Sequence, residues 1–490
     1  FSDFNRKSQN KVAIYGAGSS GAQLEASLRL SSKYSVKFFI DDNKFLSDRS
    51  LNDIPIKPFN YLKKQKRNID QILIAIPSLR KKDYKKILNS LEELNISALR
   101  IPNLSEIADG KAKINSLRPI LIEDIIGRDI IAPDQNLLSR AIDNKSILIT
   151  GAGGSIGSEL ARKVLNVNPK KLVLLEFNEP SLYQIKRELK RSFPNREIYS
   201  ILGSASNKNL IEKTIKNYSV NLVFHAAAYK HVPLVEENPE IGIENNVFST
   251  LNICEVSKNL NVEKVVLISS DKAVRPKNIM GASKRISELI VQAYSKICLE
   301  EKKSTCFSIV RFGNVLGSSG SVVPLFREQI AKGGPITITN KKMLRYFMTI
   351  EEASYLVIQA SAIANGGEIL LLDMGKPVYI QSLAEKMITL AGLKIKNELN
   401  QDGDIEIIYT GIRPGEKLCE ELLISAQSEK TIHPLIYRAK ETFIQPKILF
   451  EKLEKMQIHL KNLDKKNSTK IMKELIPELF QRNQEISISH

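Results

Sequence analysis

The sequence predicts an α/β protein of two doubly wound, mostly parallel-sheet domains in series, the second with a small C-terminal substrate-binding lobe. Three observations predict it. A short apolar strand, a glycine turn and an amphipathic helix occur at 11–30, "KVAIYGAGSSGAQLEASLRL", and recur at 145–165, "KSILITGAGGSIGSELARKVL". Each unit is followed by further apolar runs alternating with helical stretches. The length of 490 residues exceeds one ordinary domain, while 42% hydrophobic content supplies two or three buried cores.

The first domain spans 1–108. Its glycine turn places Gly16, Gly18 and Gly21 in G-x-G-x-x-G spacing, and the next strand, "VKFFIDDN", carries Asp41. The strands "QILIAIP" and "ISALRIP" continue the alternation. This spacing suits either a nucleotide or a purely structural turn. Residues 109–142, with the poorly periodic "LRPILIEDIIGRDIIAPD", read as a linker packed on its neighbours.

The pattern restarts in residues 143–440. Gly151, Gly154 and Gly157 follow a strand in G-x-x-G-x-x-G spacing, and Ser155 and Ile156 open the helix behind them. Such turns bring backbone N–H groups to a pyrophosphate at a helix N-terminus, so this domain is Rossmann-like. The strand "KLVLLEF" ends on Glu176, whose carboxylate accepts bonds from a free adenosine ribose and repels a ribose phosphate; NAD is favoured over NADP. The strands "NLVFHAAA", "KVVLISS" and "CFSIVRFG" complete the sheet, with Ala226 and Ala227 at a cofactor-facing strand end. Residues 441–490, rich in Lys and Leu at helical spacing, form a helical tail that either supports a dimer or lies as a frayed surface helix.

Composition excludes several function classes. The formal charge of +18 accompanies a general richness in Lys, and runs such as "YLKKQKRN" and "LRKKDYKK" interleave with apolar residues as solvated helix faces do. With no nucleic-acid-binding motif, no nucleic-acid partner is expected. Cys254, Cys298, Cys306 and Cys419 form no C-x-x-C and the five His no H-x-x-x-H, so no metal is expected and a reducing, cytoplasmic compartment is. The start of the sequence leads to no expectation of a signal peptide, and its residues hold no apolar run long enough to span a bilayer.

Chemistry is concentrated in "SSDKAVRPKNIMGASKR". A strand ends on Ser270, Asp271 and Lys272 follow, and a helix starting near Ile279 sets Met280 and Lys284 one turn apart on one face. Ser followed by a residue and x-x-x-Lys resembles the extended short-chain dehydrogenases/reductases. In them, the resemblance implies, the Lys holds the nicotinamide ribose and a Tyr at position 280 takes the hydroxyl proton. Met280 cannot; it packs against ligand.

The ordered motifs "HAAAYKHVPLVE", "SSDKAVRPKNIMGASKR", "RFGNVLGSSGSVVPLF", "LRYFMTIEEA" and "GIRPGEKLCEELL" sharpen the resemblance over residues 115–435. They are similar to the long, normally membrane-anchored UDP-N-acetylglucosamine 4,6-dehydratases of bacterial glycan and protein-glycosylation pathways such as bacillosamine synthesis, in which Met at this position is the pattern. The resemblance implies tightly bound NAD regenerated each turnover, Asp271 as acid and Lys272 as base. Asp271 doubling as first base, or a water held by Ser270, replaces the phenol. It also implies substrate contacts from Lys230, His231, Asn314, Arg345, Arg413 and Glu416, and Ser204 where relatives carry an adenine-binding Asp. The "RPGEKLCEEL" run reads as a turn continuing into a helix. A homodimer through the helix after "GASK", a missing N-terminal anchor as the one membrane contact, and a site on the cytoplasmic face of the inner membrane follow from the same resemblance. Two rival readings are a sugar C4-epimerase, which needs the Tyr and has no use for Asp271 and Lys272, and a cofactor-holding pseudoenzyme, which has no reason to keep them with Lys284 and Arg413.

Overall fold

Each apolar run of the glycine-turn units becomes a strand, and the computed structural model gathers the strands into two separate parallel sheets. It describes residues 9–30, 33–65, 68–79, 81–94, 96–101, 118–119, 131–398, 400–423, 428–441 and 443–479. The chain divides into two compact units. The first contains residues 1–129, 325–341 and 380–410; the second contains 130–324, 342–379 and 411–490.

In the second unit seven parallel strands run in the order Ile198–Leu202, Lys171–Glu176, Ser146–Thr150, Leu222–His225, Lys264–Ser270, Cys306–Phe312 and Ile369–Leu372. Ile436–Ala439 and Glu429–Lys430 extend that edge antiparallel. The strand order reverses direction between Ser146–Thr150 and Leu222–His225. Such a switch point opens a crevice at the strands' carboxyl ends. The central strands are buried throughout, which is why they read as continuous apolar runs rather than alternating ones. Successive side chains feed opposite cores: Leu148, Val223, Val265 and Leu267 face one, Ile147, Ile149, Phe224 and Val266 the other.

The C-terminal tail is core, not a frayed helix. Helix Pro446–Lys461 buries Leu449, Leu453, Met456 and Leu460, spaced three and four apart, and helix Lys465–Leu475 buries Ile471, Met472 and Leu475. They join the core that holds Ile286, Leu289, Ile290 and Ala293 of helix Ile279–Glu300. Residues 480–490 lie outside the described residues. So does the expected linker up to residue 130, except for Arg118–Pro119, while Gln135–Ile142 is a helix capped by Asp134, whose side chain accepts from Asn136 and Leu137 N–H.

In the first unit the sheet order is Ser50–Leu51, Ile54–Lys57, Tyr34–Ile40, Asn10–Tyr15, Gln71–Ile74, Ser97–Arg100 and Arg118–Pro119, parallel at its centre and antiparallel at both ends. The same unit takes in Ile336–Ile338, Ile405–Tyr409 and Ile395–Lys396, a small parallel sheet, and helix Ile380–Leu390, whose Leu390 packs on the core beneath Ile72 and Ile74. Much of the later sequence expected as a small lobe therefore groups with the first unit. No helix among the described residues is long and apolar enough to cross a membrane.

Candidate functional site

The crevice of the second unit starts at its glycine turn. Gly151 has φ +65°, and a Cβ there would lie 2.8 Å from the backbone N and Cα of Ala227. A Cβ on Gly157 would lie 2.1 Å from the Gly151 carbonyl oxygen, so helix Ser155–Asn166 rests directly on the turn. Gly154 offers that helix no side-chain cap, and Gly154, Ser155 and Ser158 at its start line the cavity described below. Ile156 packs its side chain on the sheet, and Ser155 Oγ accepts from Ser319 N–H at 3.2 Å.

Glu176 is buried. Its Oε2 accepts from Gly153 N–H at 2.9 Å and its Oε1 from Asn178 N–H at 3.0 Å, which fixes the carboxylate against the turn. A cavity of about 450 Å³ follows, lined by the turn, Glu176, Phe177, Ser204, Ala226, Ala227 and Tyr229 among others. Ser204 Oγ is bonded to Ser206 at 2.8 Å. Of the residues the sequence assigns to the cofactor, Gly151, Gly154, Ser155, Glu176, Ser204, Ala226 and Ala227 line this cavity; Ile156 and Gly157 pack behind it on the sheet and the turn, and Lys284 stands at the end of strand Lys264–Ser270.

Beneath it, His225 closes the switch point. Its Nδ1 lies 2.7 Å from Thr150 Oγ1 and its Nε2 3.2 Å from Thr250 Oγ1, and burial, helped by the Lys284 charge, lowers its pKa to about 3. A neutral imidazole thus ties the two strands at the reversal. Asn246, in a π-helical turn, accepts from Tyr229 N–H at 2.7 Å and donates to Ser283 Oγ at 2.9 Å. It fixes the loop carrying Lys230 to the helix carrying Met280.

The residues expected to carry the chemistry stand at the end of strand Lys264–Ser270. Asp271 opens a short 3-10 turn and is fully buried. Its Oδ1 accepts from Ser270 Oγ at 2.9 Å and Lys272 Nζ at 3.1 Å, and Lys272 Nζ also donates to Asn314 Oδ1 at 3.1 Å. Asp271 Oδ2 has no hydrogen-bond partner among the described residues; a Cβ on Gly313 would lie 3.1 Å from it. Desolvation is the largest influence on Lys272 and lowers it, but Asp271 and Glu420 outweigh that and, against Arg345, hold the ammonium above the usual lysine value. On the following helix Lys284 donates to the Ile268 carbonyl at 2.7 Å, and burial lowers it to about 8 against the opposing charge of Glu288. Met280 is 3% exposed and belongs to the apolar core. Hydrogen bonds gather Ser270, Asp271, Lys272 and Asn314 at the strand end, and Lys284 reaches the same strand at Ile268.

A buried charge network underlies that strand. Arg311, with no exposure, bonds both oxygens of Glu288, at 3.0 and 2.7 Å, and both of Glu441, at 2.8 and 3.1 Å. Ser269 Oγ donates to Glu288 at 2.7 Å. The neighbour of Ser270 is thus anchored to the helix of Lys284.

The residues expected at a substrate are more dispersed. Arg345 is buried, bonds the Leu344 and Leu418 carbonyls at 2.7 and 3.1 Å, and stands 3.5 Å from Glu416 Oε1. Arg413 is exposed and meets Glu416 through its backbone N–H at 3.2 Å. Lys230 and His231 are exposed beyond the Leu222–His225 strand end. The His231 ring packs on Gly320, where a Cβ would lie 2.2 Å from Cε1. Burial, with Lys230, lowers His231, and burial, with Lys272, lowers Lys230.

One expectation fails here: residues 411–423 form a turn but no helix. Asn278 Nδ2 donates to the Gly415 carbonyl at 3.0 Å and Lys417 Nζ to the Val274 carbonyl at 2.7 Å, so contacts with the reactive loop hold the segment extended. This buries Glu420, which sequence reasoning missed, along with His225 and Asn246.

The first unit repeats the turn with a different filling. Asp41 Oδ2 accepts from Ala17 N–H at 2.8 Å and Oδ1 from Asn43 N–H at 2.9 Å, as Glu176 does in the second. Yet the space beside Gly16 is taken by a side chain: a Cβ there would lie 2.6 Å from Ile76 Cγ1, where the second unit has Ala227 backbone.

A family described as "Polysaccharide biosynthesis protein" matches residues 147–441. The capsular polysaccharide biosynthesis protein CapD of Staphylococcus aureus is 42% identical over 449 residues, 89% of this chain and 72% of that protein. A UDP-N-acetylglucosamine 4,6-dehydratase (inverting) of Campylobacter jejuni and a UDP-glucose 4-epimerase of Rickettsia rickettsii are 32% and 31% identical, each over 59% of this chain and 80% of its own length. Among solved structures, Pen from Bacillus thuringiensis aligns with a TM-score of 0.55 and 32% identity, covering 62% of this chain and 92% of its own.

Proposed function

We propose a specific activity from the premise that this chain belongs to the polysaccharide biosynthesis protein family: NAD-dependent 4,6-dehydration of UDP-N-acetylglucosamine to a 4-keto-6-deoxy sugar nucleotide. Relatives of nearly equal identity are a dehydratase and an epimerase, so overall similarity does not choose between them. The observation that carries the choice is the buried Asp271 joined to Lys272, beside Lys284 and with Met280 in place of a phenol. An elimination across C5 and C6 uses such an acid and base pair; an epimerisation at C4 has no such step.

The glycine turn, the uncapped helix start, Glu176 and the 450 Å³ cavity fit NAD. When bound there, NAD supplies the acceptor that takes hydride from C4 and returns it to C6. Lys284 orients the nicotinamide ribose. Asp271 takes the C4 hydroxyl proton that Met280 cannot take and later gives it to the departing C6 hydroxyl. The C4 ketone acidifies the C5 proton, which Lys272 in its neutral form removes and afterwards restores. Asn314 holds Lys272 during both steps. Lys230, His231, Arg345, Arg413 and Glu416 receive the sugar and diphosphate, Arg345 by exchanging Glu416 for phosphate oxygens.

The catalytic part of this proposal is the second unit, residues 130–324, 342–379 and 411–490, working on the cytoplasmic side with reduced cysteines, none of which forms a disulfide among the described residues. Helix Ile279–Glu300 is buried by its own chain from Ile279 to Tyr294, so a homodimer has to use other faces. Proton NMR of UDP-N-acetylglucosamine incubated with the protein in deuterated water tests the activity. A new C6 methyl signal with deuterium at C5 is expected. A C4-inverted sugar without a methyl signal replaces this reading with the epimerase.

A further inference from the structure

Two aromatic rings at the cofactor cavity have no task in the steps above. Phe177 directly follows Glu176 and is 55% exposed, and Tyr229 stands past the end of strand Leu222–His225. Their ring centroids lie 6.0 Å apart at 89°, an edge-to-face contact. The strands that carry them are not neighbours: Ser146–Thr150 runs between Lys171–Glu176 and Leu222–His225 and pairs with both. Two strand spacings set their backbones about 10 Å apart. The ring pair therefore reaches across the carboxyl end of the central strand, where the glycine turn lies.

Both rings line the same cavity as Gly151, Gly153 and Gly154 of that turn, and the cavity continues to Ser204, beyond the end of strand Ile198–Leu202. Each foot of the pair is held. Glu176, just before Phe177, is fixed by the N–H groups of Gly153 and Asn178, while Asn246 accepts from Tyr229 N–H at 2.7 Å and donates to the Tyr229 carbonyl at 3.0 Å. Ser204 Oγ is committed to Ser206. The exposed face of Phe177 remains as a broad apolar surface for a planar base.

We propose that Phe177 and Tyr229 form an aromatic bridge over the adenosine half of the dinucleotide and hold it in place between turnovers. The inference rests on the NAD reading above. The proposed reaction returns to C6 the hydride it takes from C4, so the dinucleotide has no need to leave. The bridge makes leaving slow, because the two rings must part before adenosine can rise from the turn.

The test is the exchange of bound NAD. Protein saturated with NAD is mixed with an excess of isotopically labelled NAD, and the unlabelled NAD still bound is followed in time by mass spectrometry, with melting temperatures as a check on folding. Phe177→Ala and Tyr229→Ala are each expected to speed exchange about tenfold or more, the worth of one base stacked on an aromatic ring. Phe177→Tyr and Tyr229→Phe, which keep a ring on each side, should exchange at the wild-type rate. Equal exchange in wild type and both Ala variants overturns the bridge. A wild-type chain that neither holds NAD as purified nor takes up the labelled form overturns the cofactor reading, and this inference with it.

Discussion

Lys272 Nζ stands 3.1 Å from Asp271 Oδ1, pairing adjacent side chains of one 3-10 turn at the carboxyl end of a central strand. Adjacent residues of a strand would point to opposite faces; the turn lets the two charged ends meet. Asp271→Asn keeps the size and removes the proton acceptor. Methyl product formation is expected to fall by about 10²–10⁴-fold, the usual worth of general acid–base help. Bound NAD, measured after denaturing extraction, should be retained. Near-normal turnover would remove Asp271 from the chemistry.

Lys284 has its pKa lowered from 10.5 to about 8 by burial. Below pH 8 the folded and unfolded chains both carry the proton, and the folded one bears the full desolvation cost. Between pH 8 and 10.5 the folded chain alone has lost it, so the cost fades as pH rises. Lys284→Met removes a charge that the cofactor-free fold bears at a loss. It should stabilise the cofactor-free protein at pH 7 by about 1–3 kcal/mol, the hydrogen bond to Ile268 being the offset, and abolish turnover. Urea unfolding at pH 7 and pH 10 checks the sign: the advantage of the variant should shrink at the higher pH.

Much of this site was legible because its geometry follows strand ends. "KVVLISS" and "KSILIT" become the strands Lys264–Ser270 and Ser146–Thr150, and a residue just past such an end enters the crevice by topology alone. Glu420 was not legible, because "KLCEELL" has helical propensity and only tertiary contacts to Val274 and Asn278 hold it extended. His225 was missed because its role depends on Thr150 and Thr250, which come from other elements. The tail was ambiguous for a related reason: Leu at helical spacing shows that a face is apolar, not what covers it.

Arg311 and Glu288 form a fully buried pair that Glu441 and Arg285 complete. Removing one partner of such a pair leaves an uncompensated buried charge, which costs about 3–5 kcal/mol. Arg311→Met should therefore lower stability by that amount in urea titration, whereas exposed Lys332→Ala, which breaks the surface pair with Glu328, should change it by less than about 1 kcal/mol. Because Ser269 hangs on Glu288, any surviving Arg311→Met enzyme should also lose turnover.

Gly16 and Gly151 begin two turns of the same kind, but Ile76 fills the space beside the first and the backbone of Ala227 borders the second. Asp41 and Glu176 are both already held by turn N–H groups, so neither acid by itself distinguishes the units. The filling does. A dinucleotide laid across the first turn would have to displace the Ile76 side chain from contact with the apolar core of Ile72 and Ile74. NAD released by denaturation and quantified against protein should therefore amount to one per chain. Gly151→Ala, which drives a Cβ into Ala227 at a φ that disfavours it, should bring the yield close to zero. Gly16→Ala should leave it at one. A yield of two from the wild-type chain, falling to one in Gly16→Ala, would show instead that Ile76 moves aside and that both turns are loaded.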